Sequence, residues 1–417
     1  MSSSYRALLA RPGAVQLAAA CGIAWFSYSI YGLGFVLVVE RGTGSFASAG
    51  MVVAAFSVGS AAFAPARGRA VDRRGGRILP ALAVAHVALL TLLVVAAAAA
   101  APTAVLIALS GLGGAVVPPL IATARAQWGE IAGETLAPTS HALNAALGEA
   151  SQVLGPAVLG VTAMVAPPAV PVVALLAGVV IASSMLGSRA RAPELESWAI
   201  RGHGWQLPGG AGFRIVAAGE GLLAVAFGAI DVALPARAAT DGSATHAAWA
   251  LAALAGASAA AALWGGAAGA RIATPERFAG GIVLATAGLV GAAAAPSFAL
   301  VVAACIPTGA GAGLAFAAVL ELLDGLIDPS RAVEAFTWIT TAGGAGTAAG
   351  AALAGLLAAS EPRQAMLVAP IATALAAVVV FAGRRDLGTS RNPPSAASES
   401  AEEFALPSGG STRAPSE

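Results

Sequence analysis

Charged positions along this chain fall in clusters, separated by long stretches with none. Uncharged runs cover 12–39, 42–66, 78–124, 150–188, 242–270, 278–320, 335–360 and 364–383. A helix needs about 20 apolar residues to cross the hydrocarbon core of a bilayer. Most of these runs hold one such span, and three longer ones divide at turn signals: Pro102, the pair Pro167-Pro168, and Pro296-Ser297. Only helices and closed barrels satisfy every backbone group in lipid, and runs of this length exclude barrel strands of about ten residues. The pattern therefore predicts an all-α membrane protein with spans at 13–38, 45–66, 79–99, 102–124, 140–165, 169–188, 211–236, 246–270, 278–295, 297–321, 333–358 and 363–383. That is twelve transmembrane helices.

Composition supports the pattern. Of 417 residues, 58% are hydrophobic and 10% charged, where a soluble domain carries roughly a quarter charged residues. The chain has no lysine. With the N-terminus inside, 19 of the 22 arginines are cytoplasmic, leaving Arg41, Arg237 and Arg363 outside. Positive charge is retained on the cytoplasmic side, so both termini are expected there, in a plasma (inner) membrane. The first apolar run follows Arg6 and Arg11 without a cleavage site and reads as a retained helix. Cys21 and Cys305 both fall within spans, which indicates neither a disulfide nor a metal site.

The one long interior segment of mixed charge, 189–210, divides the spans six and six. The expected domains are an N-terminal bundle over 1–188, a cytoplasmic linker over 189–210 and a C-terminal bundle over 211–383. A tail over 384–417, rich in Ser, Pro, Gly and Glu, should be disordered. Gly155-Pro156-Ala157-Val158-Leu159-Gly160 is echoed 195 residues later by Gly350-Ala351-Ala352-Leu353-Ala354-Gly355, as two related halves would require.

Between the second and third spans lies Gly68-Arg69-Ala70-Val71-Asp72-Arg73-Arg74-Gly75-Gly76-Arg77, expected as a tight basic turn. Its spacing, Gly-x-x-x-Asp-Arg-x-Gly-x-Arg, resembles the loop between helices two and three of the major facilitator superfamily. Gly42-x-Gly44-Ser45 leading into Ala49-Gly50, Arg125-Ala126-Gln127-Trp128 and Glu334-Ala335-Phe336-Thr337-Trp338 extend the resemblance to an actinobacterial exporter group within it. The resemblance implies two six-helix bundles that rock around a central cavity. It also implies that Gly68, Asp72, Arg73, Gly75 and Arg77 form a gating loop that balances inward- and outward-open states. The corresponding second-half segment, 269–273, lacks the aspartate.

The fifth span carries Gly148, Ser151, Gly155, Pro156 and Gly160. Gly155, Pro156 and Gly160 match part of the family's antiporter motif, while Leu159 departs from it. Small residues at this spacing also give a close-packing stripe, and both readings stand. Gly343, Gly346 and Gly350 in the eleventh span read as packing.

Acids at membrane depth are costly and mark pathways or pairs. Three candidates for proton coupling stand out: Glu149 in the fifth span, and Glu220 and Asp231 in the seventh. Glu220 and Asp231 share one helix face, about 16 Å apart, with Phe213 and Phe227 on the same stripe. A local pairing of Asp231 with Arg237 is the competing reading. His86 lies inside the third span as a polar contact. In the first span Trp25, Tyr28, Tyr31 and Phe35 occupy one face; they either line a cavity that binds substrate, together with Phe227, or pack against a neighbouring helix.

The expected function is that of a secondary active transporter, exporting a small, partly apolar drug or metabolite in exchange for protons. The alternative is a proton-coupled importer of a nutrient on the same fold. Membrane sensors and intramembrane enzymes rank below both, because no signalling domain, nucleophile-base pair or ligand-spaced histidines occur. A chain without lysine has no Gly-x-x-x-x-Gly-Lys nucleotide loop. No cofactor and no nucleic-acid partner are expected; the partners are a small-molecule substrate, protons and the lipid bilayer, and the protein is expected to be a monomer.

Overall fold

The computed structural model describes residues 3–188, 210–268, 274–327 and 332–388. A short helix α1 (Ser3–Leu9) precedes the first span, which is two helices, α2 (Ala14–Tyr28) and α3 (Tyr31–Thr43). There follow α4 (Phe46–Arg74), α5 (Ile78–Ala98), α6 (Thr103–Ala115), α7 (Leu120–Val165) and α8 (Ala169–Gly187). The second half contains α9 (Ala211–Thr240), α10 (Ala247–Ala268), α11 (Thr274–Ala294), α12 (Phe298–Leu326) and α13 (Ala332–Ala358). Short α14 (Pro362–Ala365), α15 (Val368–Ala382) and α16 (Arg384–Gly388) complete the described chain. Among the described residues ten helical segments are long and apolar enough to cross a membrane; α10 and the part of α7 beyond Gly133 bring the number to the twelve expected.

Several expected elements differ in detail, each for a local reason. The first span is not continuous: Ser29 Oγ donates to the Phe26 carbonyl at 2.8 Å, the kind of side-chain bond that competes with the helix ladder. The fourth span breaks at 116–119 because Pro118 and Pro119 lack N–H donors. It resumes as the start of α7, which turns at Gly133 in the left-handed region, φ 59°. The fifth span therefore begins some six residues earlier than expected. The basic segment 68–77 is mostly helix: α4 runs through Arg74, and the reversal occurs at Gly75, φ 66°, followed by a 3₁₀ turn to Arg77. Helix α16 occupies the first residues of the expected tail, held by the buried Leu387. The linker before 210, the segment 269–273 and the rest of the tail lie outside the described residues.

Of the described arginines, Arg41, Arg237 and Arg363 lie at one end of the molecule and the others toward the opposite end, and the core is divided between the two ends. At the arginine-poor end a single apolar core spans both halves, joining Val36, Val52 and Leu159 to Ala233, Ala248 and Ala354. Toward the arginine-rich end there are two separate cores. One contains Leu17, Leu79, Leu120 and Leu186 from the first half; the other contains Phe213, Phe278, Leu322 and Val380 from the second. The backbones at the closed end meet through glycines. A Cβ on Gly50 of α4 would lie 2.9 Å from the Gly355 Cα of α13, and a Cβ on Gly160 of α7 would collide with Ala248 of α10.

Candidate functional site

Where the shared core ends, the halves separate around a cavity of about 450 Å³ lined by Phe56, Ser57 and Ser60 of α4 and Thr340, Thr341 and Thr347 of α13. Apolar floor and hydroxyl walls suit a compact, partly polar guest. A second cavity, about 290 Å³, is lined by Tyr28, Tyr31, Phe56, Ser60, Arg67 and residues 117–122. Phe56 and Ser60 belong to both, so the two spaces adjoin.

The aromatic face of the first span sits at this junction. Tyr31 is 8% exposed, stacks on Phe35 with centroids 5.5 Å apart and meets the Phe56 edge at 5.2 Å. Its hydroxyl lies 2.7 Å from His86 Nε2, and His86 Nδ1 lies 2.8 Å from the Gly113 carbonyl. A carbonyl only accepts, so in the neutral ring Nδ1 carries the hydrogen and the Tyr31 hydroxyl donates to Nε2. Tyr28 donates to the Pro118 carbonyl at 2.6 Å, satisfying a group exposed by the break in the fourth span. Both hydroxyls thus have protein partners, and both residues line the smaller cavity. Trp25 is farther along α2, donating from Nε1 to Asn144 Oδ1 at 3.3 Å.

Sequence reasoning missed Arg67. In a continuous helix the N–H groups of residues 118 and 119 would reach the carbonyls of 114 and 115, and prolines have no such group. Arg67 Nη1 donates to those two carbonyls, Gly114 at 3.1 Å and Ala115 at 3.0 Å, while Nη2 donates to the Ser60 carbonyl at 2.9 Å. The residue is 8% exposed and its Nε has no partner. The signal was present: two adjacent prolines inside an apolar run take two donors from the helix ladder; the Val117 N–H reaches the Gly114 carbonyl at 3.3 Å, and Arg67 donates to both carbonyls.

On α9, Glu220, Phe227 and Asp231 fall within about 40° of one another at 100° per residue. Both acids are half-buried, and neither has a hydrogen bond or ion pair among the described residues. Asp231 does not pair with Arg237; it lies over Gly32, where a Cβ would sit 2.6 Å from the carboxylate carbon. Gly32 is in the first turn of α3, whose N–H groups lack intrahelical acceptors and favour negative charge. Phe227 is 40% exposed on the same side, whereas Phe213, expected on this stripe, is fully buried in the second-half core. It shares that core with Leu322 of α12 and Leu387 of α16. Arg237 instead binds Asp241 at 3.0 Å and the Pro296 carbonyl at 3.3 Å, and Asp241 accepts from the Phe298 N–H at 2.8 Å. These bonds hold the Asp241 carboxyl below its ordinary range, the Arg237 bond contributing most.

The small-residue stripe of the fifth span touches the first: Gly148 packs against Trp25, and Gly155 abuts Ser29 and Ile30 at the helix break. In α13, Gly346 and Gly350 lie against the α9 backbone at Gly221 and Val225, while Gly343 has no close neighbour. The Asp72 and Glu149 side chains lie outside the described residues. At the arginine-rich end Arg277 pairs with Glu321, joining α11 to α12. No group of residues able to hold a metal ion occurs among the described residues.

Residues 216–413 match the family model described as Major Facilitator Superfamily. Among solved structures, the nucleoside transporter NupG is 15% identical, with 90% of this chain and 98% of that one covered and a TM-score of 0.64. A bacterial homologue of the human lysosomal transporter Spinster, in an inward-facing and occupied conformation, is 14% identical over 95% of this chain and 100% of that one, TM-score 0.66. The human organic anion transporter MFSD10 is 13% identical over 91% and 100%, TM-score 0.60. At these identities the likeness establishes the fold. The comparison with curated proteins returned no match.

Proposed function

We propose that this chain is a secondary transporter working by alternating access, exporting a small, partly apolar molecule in exchange for protons. The observation that carries the reading is the divided core: one core across both halves at the arginine-poor end, two independent cores at the other. Bundles joined in this way can rock about the joint. With the arginine-rich end in the cytoplasm, the conformation is inward-facing, and the cavity between α4 and α13 is where substrate enters. Tyr28 and Tyr31 line its side chamber, with Trp25 and Phe227 bordering the path.

Coupling is assigned to Glu220 and Asp231, with Glu149 as a third candidate. Two half-buried carboxylates without partners on a face turned toward the other bundle are poor structural choices and good proton sites. Asp231 reports on closure, because its carboxylate rests on Gly32 across the joint. The gating loop around Asp72, Arg73 and Arg77, and Gly155, Pro156 and Gly160, are given the roles that the family resemblance suggests.

The test is compound-driven proton flux in proteoliposomes, with Glu220→Gln and Asp231→Asn beside the unaltered protein. Antiport requires protons to move opposite to the compound, and loss of that movement in at least one variant. Flux equal in all three proteins would remove the assignment to α9. Proton and compound moving together would make the chain an importer.

A further inference from the structure

Arg67 is the strongest chemical feature that the transport reading leaves unused. A guanidinium has five N–H donors, and three of them go to the neutral carbonyls of Ser60, Gly114 and Ala115. The Nε–H has no partner, one Nη2 hydrogen is left over, and no described carboxylate pairs with the group. Capping two carbonyls requires donors and not charge, so an amide or a hydroxyl would serve. A buried cation without a counter-ion among the described residues is costly, and this one lies on the wall of the 290 Å³ chamber.

We infer that Arg67 recognises an anionic group of the substrate, and that the substrate class is a small carboxylate with an aromatic or apolar body. The Nε–H is closed off from the chamber, so the remaining Nη2–H and the positive charge are what Arg67 offers to a carboxylate oxygen. One cation balances one negative charge, which favours a carboxylate over a phosphate dianion. The body would lie against Tyr28, Tyr31 and Phe56 and extend past Ser60 into the larger cavity. The term substrate rests on the transport reading; the binding site itself does not.

The experiment measures thermal stabilisation of the purified protein in lipid nanodiscs by benzoate, cinnamate and indole-3-acetate, each at about 5 mM and each beside its neutral amide. At least one acid should raise the melting temperature while its amide does not. Arg67→Gln should weaken that acid at least about a hundredfold, and Arg67→Lys, which keeps the charge and loses the fork, about tenfold. Because glutamine is shorter than arginine, its amide can fall short of the carbonyls at the proline break and the variant can fail to fold; the lysine variant and the acid-amide contrast keep the test decisive. Amides as effective as acids, no effect of any acid, or full affinity in a folded variant would overturn the inference. Acid binding without proton flux would keep this site and remove coupled transport. Flux driven by neutral compounds alone would do the reverse.

Discussion

Arg237 and Asp241 show how one pair of side chains holds the closed end together. Arg237 reaches the Pro296 carbonyl and Asp241 takes the Phe298 N–H, so the turn after α9 is tied to the turn before α12. The Asp241 carboxyl is held below its ordinary range by the Arg237 bond and then the Phe298 bond. A group with a lowered folded-state pKa stabilises above its unfolded value and loses that effect as pH falls through the folded one. The melting temperature of Asp241→Asn should therefore lie below that of the unaltered protein by a constant gap from pH 8 to about 5. The gap should close below about pH 4. Thermal melts across that range check it; a gap independent of pH would mean that the residue acts by packing. At this scale the sequence was only partly legible. Glu220 and Asp231 could be placed on one face because helical spacing is fixed. Partner choice could not: Arg237 is six residues from Asp231 and four from Asp241, and the latter spacing puts side chains on adjacent turns. Arg67 was overlooked for a different reason: the proline pair marks carbonyls that lose their helix donors, but not that a side chain 47 and 48 residues away supplies them.

At the scale of elements, helix existence was written in the hydrophobic runs, and helix continuity was not. The first span reads as one apolar stretch, yet it divides at Ser29 and Ile30, where Gly155 of α7 abuts the bend. A break marked by one serine hydroxyl bonding to its own helix leaves little trace in a window of apolar residues. The basic segment 68–77 erred the other way: its glycines suggested a loop, but only Gly75 takes a left-handed conformation, and the residues before it remain helical. The contact between α4 and α13 yields an element-level prediction. A Cβ at Gly50 meets backbone, the Ala351 carbonyl and the Gly355 Cα, and backbone cannot step aside as a side chain can. Gly50→Val should cost the closed end about 1–3 kcal/mol, shifting the balance of conformations about 5- to 150-fold toward separation there. Distances between spin labels in the turns near Gly44 and Ser360 should lengthen in this variant and stay unchanged in Gly280→Ala, where a Cβ meets nothing.

For the whole molecule, the asymmetry between ends is what gives the fold a function. Twelve helices are legible in the charge segregation, and it leads one to expect the arginine-rich end in the cytoplasm. Which end is closed does not, because both ends are equally apolar in sequence and the difference lies in how two bundles meet. The divided core implies that the cavity is reached from one side at a time, and Ser57 on its wall is the place to ask. The decisive measurement is the labelling of Ser57→Cys by a membrane-impermeant thiol reagent applied to each face of oriented vesicles; native Cys21 and Cys305 are buried. Labelling from the cytoplasmic face alone, moving to the opposite face when Gly50→Val is added, is the result this account predicts. Labelling from both faces at once, or from the opposite face alone without Gly50→Val, would contradict it.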